Sequence, residues 1–146
     1  MKENRKFANV TGYANALPQR STVGSAGYDI ASAETITVKP GELAMIPTGI
    51  KAYMPNNEYL AVYPRSSLGI KRLLTMPNNV GIIDSDYFNN DDNEGHIYVP
   101  LFNLGKTPQT IEKGERIAQG IFTKYLTTTD DNTQRERTGG FGSTGC

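Results

Sequence analysis

Cysteine and histidine are almost absent from this 146-residue chain, which has one of each. The single cysteine, Cys146, excludes an internal disulfide and a zinc site built from several cysteines. The single histidine, His96, likewise excludes a metal cage of several histidines. Lysine plus arginine and aspartate plus glutamate both number 15, so the formal net charge is zero. A generic nucleic-acid binder usually carries a basic surplus, so we expect no stable nucleic-acid partner.

Long apolar runs are also missing. No stretch approaches the ~18 apolar residues of a membrane span, and the first ten residues, MKENRKFANV, lack the apolar segment of a signal peptide. We therefore expect a soluble, cytoplasmic protein with no membrane partner. The length is that of one domain, and roughly two-thirds of the unfolded surface of such a chain can be buried.

Fifteen glycines and eight prolines divide the chain into short apolar segments. Several segments alternate apolar and polar residues or carry β-branched and aromatic ones, which is typical of half-buried strands. The predicted strands are residues 35–38, 43–46, 50–54, 59–63, 80–83, 97–102 and 117–122. Many short strands at regular spacing predict an all-β fold of the jelly-roll, sandwich or small-barrel type.

One short helix is predicted over residues 66–74. A serine pair at its start could cap the unpaired backbone N–H groups. Three leucines, Leu68, Leu73 and Leu74, are expected to face inward.

Two polar segments depart from the strand pattern. Residues 88–95, FNNDDNEG, are rich in turn formers, which predicts a long exposed hairpin loop. From residue 128 onward almost no apolar residue except Phe141 remains, and such a composition cannot offset the entropy of ordering. We therefore expect a core over residues 1–127 and a mobile C-terminal arm over residues 128–146.

The arm carries a glycine-rich stretch with features of a nucleotide-binding loop. Residues 139–145 read GGFGSTG, in which four glycines let the backbone approach an anion closely. Two hydroxyls add donors, and Phe141 could stack on a flat ring. Arg135 and Arg137 precede the stretch and suit phosphate oxygens. A flexible linker is the alternative, although it needs neither the phenylalanine nor the arginines.

Two further stretches could carry chemistry. Residues 64–69, PRSSLG, predict a helix start whose N–H groups could seat a phosphate, and the alternative is an ordinary capped helix. Residues 78–87, NNVGIIDSDY, run from an apolar stretch into two carboxylates and a tyrosine. A carboxylate at the end of a buried strand can act as a general base toward water, and the alternative is a solvated turn. Residues 27–29 and 114–119 are typical of turns that lead into strands.

Five stretches in this order and spacing resemble the five motifs of the trimeric deoxyuridine triphosphatase (dUTPase) family. They are residues 26–30, 64–69, 78–87, 114–119 and 139–145. The resemblance covers nearly the whole chain, and five motifs in order are far more specific than any one. It implies a β jelly roll, a homotrimer with shared active sites, and an arm that closes over a neighbour's pocket. The implied reaction is hydrolysis of dUTP to dUMP and pyrophosphate with Mg²⁺, which limits uracil in DNA and supplies dUMP for thymidylate synthesis.

The resemblance also implies a role for each matching residue. Asp84 would deprotonate the water that attacks the α-phosphorus. The Mg²⁺ ion would be held by phosphates and waters rather than directly by the protein, with Asp29 at most an indirect contributor. Uracil would be read by Asn78 and by the backbone of residues 78–84, including Gly81 and Ile83. Tyr87 would stack beneath the deoxyribose and block a 2′-hydroxyl. The phosphates would meet residues of three motifs and the base would meet Phe141; the residues are Arg65, Ser66, Ser67, Gln119, Arg137, Phe141, Gly142, Ser143 and Thr144.

The chain departs from the family pattern in two places. The arginine that the family places three residues before its Gly-Gly pair is replaced by Glu136, with Arg135 and Arg137 on either side. We assign the γ-phosphate role to Arg137. The third motif is followed by an expansion of about six residues within 88–95, which could change the trimer rim or a partner surface.

Two other functions compete with this prediction. A dCTP deaminase shares the fold and the trimer, but in that family a glutamate acts in the base pocket, and residues 70–93 contain no glutamate. A regulatory binding protein, of a kind that a phage could carry into its host's cytoplasm, belongs to another class. Only the loop 88–95 motivates it.

Overall fold

Short antiparallel strands make up most of the regular structure in the computed structural model, which describes residues 4–142. The strands are β1 (Lys6–Asn9), β2 (Tyr28–Ala31), β3 (Ile36–Val38), β4 (Leu43–Pro47), β5 (Ile50–Tyr53), β6 (Glu58–Pro64), β7 (Leu74–Thr75), β8 (Gly81–Asp84), β9 (Tyr98–Asn103), β10 (Gln109–Ile111) and β11 (Arg116–Lys124). One helix, α1 (Ser66–Arg72), follows β6, and a 3₁₀ turn (Ser85–Tyr87) follows β8. No helix in the described range is long and apolar enough to cross a membrane.

The strands form two larger sheets and two separate pairs. One sheet has the order β2-β11-β6-β8 and the other β4-β9-β7, while β1 pairs with β5 and β10 with β3. Every pairing between these strands is antiparallel. The predicted all-β, jelly-roll-like fold is therefore confirmed.

The inward faces of both larger sheets contribute to one apolar core. Leu60 and Val62 of β6 meet Ile46, Val99 and Leu101 of the second sheet in the same buried cluster. Each such side chain stabilises the fold by roughly 1.5–3 kcal/mol when it is fully buried. Because side chains alternate along a strand, Tyr59, Ala61 and Tyr63 of β6 face the outer side of the sheet.

All the predicted strands are present, each within two residues of the expected bounds. Strand β2 follows the turn predicted at residues 27–29. The sequence does not predict β1, β7 or β10, because these strands have only four, two and three residues. Alternation is not visible over so short a length.

Helix α1 is shorter than predicted and begins differently. Leu73 adopts a left-handed backbone conformation with φ 54°, which ends the helix, and its side chain is 51% exposed rather than inward. Leu68 and Leu74 are buried as expected. The N-cap residue is Arg65, with no side-chain capping bond, so the predicted serine cap is wrong. The two serines lie one position further on, inside the first turn.

Residues 88–95 form a packed connection between the two sheets rather than an exposed hairpin. Strand β8 pairs with β6, whereas β9 pairs with β4 and β7, so the loop crosses from one sheet to the other. The Asn89 N–H donates to the Glu94 carbonyl at 3.0 Å, and Gly95 is buried with φ 89°. The predicted exposed hairpin over residues 88–95 is therefore wrong. Composition alone does not distinguish polar residues that face solvent from polar residues that hydrogen-bond to one another.

Candidate active site

A pocket of about 180 Å³ lies beside strand β8, where the third and fifth motifs meet. Its lining includes eight of the expected site residues, Asn78, Gly81, Ile83, Asp84, Tyr87, Arg137, Phe141 and Gly142. Ser143 and Thr144 lie outside the described residues. The β8 strand, the turn before it and the end of the arm therefore form one continuous surface.

Strand β8 is positioned by a tight turn and by its pairing with β6. The Asn79 N–H donates to the Met76 carbonyl at 3.0 Å, and Asn79 takes a left-handed conformation with φ 63°. Beyond this turn, β8 pairs with β6 and not with β7, the strand just before the turn. As the outermost strand of its sheet, β8 presents one row of backbone groups away from β6, which suits recognition of a flat hydrogen-bonding ligand.

Asp84 ends β8 and is half exposed, with 51% of its side chain accessible. Its Oδ2 accepts a hydrogen bond from Arg137 Nη2 at 2.9 Å. Asp86, two residues on, accepts from Nε of the same arginine at 2.9 Å. The Arg137 side chain is only 8% exposed, so one guanidinium joins the arm to both carboxylates.

Tyr87 is buried at the base of the pocket and fixed at its hydroxyl. The O–H donates to the His96 carbonyl at 2.6 Å and accepts from Asn93 Nδ2 at 2.9 Å. Burial raises the pKa of the Tyr87 hydroxyl above its usual value, so it remains a neutral donor. The Arg137 guanidinium lies over the ring, 5.6 Å from its centroid. A sugar can stack on that face only after the arginine has moved.

The remaining site residues lie in a second group. Gln119 on β11 stands opposite Asp29 of β2 and Tyr63 of β6. The Arg65 N–H donates to the carbonyl of Ile117, also on β11, at 2.9 Å, which brings Ser66 and Ser67 to this end of the sheet. Asp29 is engaged by Ser21 at 2.8 Å and Arg116 at 3.3 Å. The first, second and fourth motifs thus come together, apart from the pocket.

The two groups are separated along β6. Asp84 pairs opposite Tyr59, and Gln119 pairs opposite Tyr63. Four residues of strand correspond to ~13 Å along β6, and two strand spacings add ~10 Å across the sheet. Asp84 and Gln119 are therefore roughly 16 Å apart within one chain.

The described range 4–142 contains no group of three or more histidine, cysteine, aspartate or glutamate side chains that could hold a metal ion. Asp84 and Asp86 are the carboxylates beside the pocket, and both bond to Arg137. Mg²⁺ commonly binds through one or two carboxylates together with substrate phosphates. These residues fit a metal that arrives with a triphosphate, not a dedicated protein cage.

Three residues of the pocket region are not among the expected site residues. Asp86 bonds Arg137, Asp92 accepts the Gly140 N–H at 2.8 Å, and Asn93 bonds Tyr87. Asp86 has a sequence signal, since it repeats the charge of Asp84 two positions later. Asp92 and Asn93 depend on how the loop 88–95 folds back toward the arm, which no local pattern encodes.

Fold and pocket together define a jelly-roll protein whose polar groups suit a nucleoside triphosphate. The family model described as dUTPase matches residues 14–145. The chain belongs to this family.

Individual relatives agree with the family assignment. The chain is 52% identical to the deoxyuridine 5′-triphosphate nucleotidohydrolase of Lactococcus lactis subsp. lactis (strain IL1403), over 97% of this chain and 98% of that protein. It is 41% identical to the protein of the same name from Rickettsia felis, over 96% and 95% of the two chains. The crystal structure of the dUTPase from Streptococcus mutans superimposes with a TM-score of 0.82 at 41% identity, covering 84% of this chain and 97% of that one.

Proposed function

We propose that this protein hydrolyses dUTP to dUMP and pyrophosphate in the cytoplasm, with Asp84 as the general base. The main support is the position of its carboxylate, which is half exposed at the end of the edge strand that lines the pocket. A general base must reach a water molecule directly, and a buried or fully paired carboxylate could not.

The residues around Asp84 have separate tasks in this proposal. The outward backbone row of β8 binds the edge of the uracil, and Gly81 leaves room for the ring. Tyr87 lies beneath the deoxyribose. Arg137 passes from the two aspartates to the phosphates, where it stabilises the charge that develops as the α-phosphorus is attacked. That transfer also frees Asp84 to accept the proton of the water.

Mg²⁺ enters this proposal as part of the substrate. When bound to the triphosphate, the ion neutralises phosphate charge and orients the leaving pyrophosphate. Asp84 is the carboxylate that lines the pocket, and it would act on the ion through its waters.

The separation of the two residue groups supports a homotrimer with shared sites. Ser66 and Gln119 are expected at the same triphosphate that Asp84 serves, yet Asp84 and Gln119 lie roughly 16 Å apart in one chain. Residues that act on one phosphorus must approach within hydrogen-bond reach of it. We therefore propose that the second group is supplied by a neighbouring subunit.

The outer face of the β2-β11-β6-β8 sheet offers a surface for that assembly. Ile121 and Ile82 lie on either side of the buried Ala61 across three adjacent strands; Ile121 is partly exposed and Ile82 is 64% exposed. Next to it, the Tyr59 and Tyr125 rings lie 6.3 Å apart. A contiguous apolar face of this kind is typical of a subunit interface.

The arm is long enough to close over a neighbour's pocket. Thr123 on β11 and Asp84 on β8 both pair opposite Tyr59, so they are about 10 Å apart. The segment 124–136, which joins β11 to Arg137, can extend to roughly 45 Å. The contact between Arg137 and Asp84 within one chain requires only a fraction of that length.

The catalytic proposal is tested by measuring pyrophosphate release from dUTP, dCTP, dTTP and UTP. We expect strong preference for dUTP, and Asp84→Asn should lower turnover by about 10²–10⁴-fold while nucleotide binding persists. Asp86→Asn is the matched control, because it removes the same charge and the same type of arginine contact two residues away. Near-normal turnover in Asp84→Asn, or an equal loss in both variants, would refute the role of Asp84.

Shared sites are tested by light scattering and by mixing two inactive proteins. One carries Asp84→Asn with an intact arm, and the other is truncated after Thr129 with Asp84 intact. A trimer is expected, and mixing should restore part of the activity because some sites combine an intact Asp84 with a neighbour's arm. An active monomer would refute the trimer, and a mixture that stays inactive would mean that the arm serves only its own chain.

The deaminase alternative predicts a different product. The carboxylate that lines the pocket is Asp84, which lies next to Arg137. Residues 70–93 include no glutamate that could act as the acid or base at the pyrimidine ring. Release of ammonia from dCTP without pyrophosphate would favour the deaminase.

A further inference from the structure

The loop 88–95 is attached firmly to strand β5 and the N-terminal segment on one side. Lys51 Nζ donates to Glu94 Oε2 at 2.8 Å and to Asn89 Oδ1 at 2.6 Å. The Thr11 N–H donates to the same Glu94 oxygen at 3.1 Å. The hydrogen bond from Lys51, followed by those from Thr11, lowers the pKa of Glu94 to about 2, so the carboxylate is charged throughout the physiological range.

The loop is also braced internally by Asn90. Its Nδ2 donates to the Tyr87 carbonyl and to Asn93 Oδ1, both at 2.8 Å. Its Oδ1 accepts the N–H groups of Asp92 and Asn93 at 3.0 and 3.1 Å. These bonds hold the backbone on which Asp92 and Asn93 are presented.

The other side of the loop faces the arm. Asp92 Oδ2 accepts the Gly140 N–H at 2.8 Å, and the Asp91 N–H donates to the Thr138 carbonyl at 3.3 Å. Gly140 is buried, and a Cβ added there would lie 3.0 Å from three side-chain atoms of Asn93. The arm backbone therefore approaches the loop as closely as a glycine allows.

We propose that the loop 88–95 is the docking platform for the C-terminal arm, with Asp92 and Asn93 as positioning residues for the reaction. Asp92 fixes the backbone immediately before Phe141, and so sets where that ring and Arg137 stand relative to the pocket. Asn93 contacts the arm at Gly140 and holds the Tyr87 hydroxyl, so it links the arm to the proposed sugar-binding ring. The expansion after the third motif thus serves arm closure.

This inference rests on the proposed function for its effect on rate, but not for its effect on the arm. A segment that is already docked loses less conformational entropy when the substrate orders it fully. The contact requires only that the backbone of residues 138–140 reaches the loop. An arm from the same chain or from a neighbouring subunit can therefore make it.

The test compares hydrogen exchange of the Gly140 amide in three variants of the full-length protein. Asp92→Ala removes the acceptor, Asp92→Asn keeps a neutral acceptor, and Asp91→Ala removes the same charge next door while leaving its backbone contact in place. Loss of the hydrogen bond between the exposed Asp92 side chain and the Gly140 N–H should lower the protection of the Gly140 amide about 3- to 10-fold in Asp92→Ala. We expect Asp92→Asn to recover most of that protection and Asp91→Ala to change it less than twofold.

Kinetics give a second readout on the same proteins. The kcat/KM for dUTP should fall in Asp92→Ala by about the factor seen in exchange, with recovery in Asp92→Asn, since only docked arms assist closure. Equal exchange in Asp92→Ala and the wild type would overturn the docking platform, whatever the activity. Exchange that responds while kcat/KM does not would overturn the positioning role. A wild-type protein with no dUTP hydrolysis would refute the proposed function but leave the exchange result to decide the docking.

Discussion

A single methyl group added at Gly81 should block the pocket without disturbing the fold. A Cβ built on Gly81 lies 3.4 Å from Val62 Cβ, 3.8 Å from Asn78 Nδ2 and 3.8 Å from Met76 Cε. All three neighbours line the same pocket, so the methyl group of Gly81→Ala would occupy ligand space. The two 3.8 Å distances are ordinary van der Waals contacts, and that to Val62 is at the short limit. The strand itself therefore need not shift.

The expected magnitude follows from the pocket volume. A methyl group is comparable to a water molecule, whose share of liquid volume is ~30 Å³. It would therefore remove roughly the space of one water molecule from the 180 Å³ pocket. One methylene too many in a fitted pocket costs ~1–3 kcal/mol, or about 10- to 200-fold in kcat/KM. Folding stability should be unchanged or higher by up to about 1 kcal/mol, because alanine has less freedom than glycine in the unfolded chain.

The assay is steady-state pyrophosphate release from dUTP, with thermal unfolding measured on the same protein. Gly24→Ala is the matched control, because a Cβ there meets no atom within 4 Å and Gly24 has no positive φ. We expect Gly24→Ala to keep full activity and Gly81→Ala to lose at least tenfold. A Gly81→Ala protein that is stable and retains kcat/KM within twofold would refute the binding of the base beside β8.

Three further outcomes are expected. Tyr87→Phe should keep the preference for dUTP over UTP because the ring remains, whereas Tyr87→Ala should relax it; equal preference in both would place ribose discrimination elsewhere. Burial lowers the pKa of His96 below its usual 6.5, so the folded state binds the proton less readily than the unfolded one. Stability should therefore be complete above pH 6.5 and fall below it by at most ~1.4 kcal/mol per pH unit, and a melting temperature that is flat from pH 7 to 5 would contradict this. Arg5→Ala leaves the Glu58 carboxylate, 2% exposed, without its guanidinium partner and should cost ~3–5 kcal/mol in thermal unfolding. The double variant Arg5→Met with Glu58→Leu should recover most of that loss, and equal destabilisation by both would show that the charge is not the cause.

The strands of the two larger sheets could largely be predicted from sequence because burial on one face imposes alternation. In β6 the buried Leu60 and Val62 alternate with outward-facing tyrosines, and that period is visible in the sequence. The short β7 has only two residues and depends on its partner β9, so tertiary pairing and not pattern defines it. Leu73 shows a second limit, since an apolar residue that ends a helix in a left-handed conformation points outward despite its composition.

The active-site residues could be predicted where they belong to one motif, but not where the site depends on contacts between distant segments. The residues from Asn78 to Tyr87 are close in sequence, and the structure brings them together with Arg137, Phe141 and Gly142 of the arm. Their separation from Gln119 follows from the pairing register on β6, which the sequence does not reveal. The contact of Asp92 with Gly140 joins two polar segments that have no apolar period at all.

The length of the segment 124–136 has a consequence for how strongly the arm competes for its pocket. A tethered ligand reaches its highest effective concentration when the root-mean-square length of the tether matches the distance to be spanned. For this segment a flexible chain would measure roughly 20 Å or more, about twice the ~10 Å that separates β11 from Asp84 in its own chain. Shortening the tether should therefore raise the local concentration of the arm at its own chain's pocket, and lengthening it should lower that concentration only gradually. The natural length therefore matches a span of roughly 20 Å, which is longer than the distance that the arm must cover to reach Asp84 of its own chain.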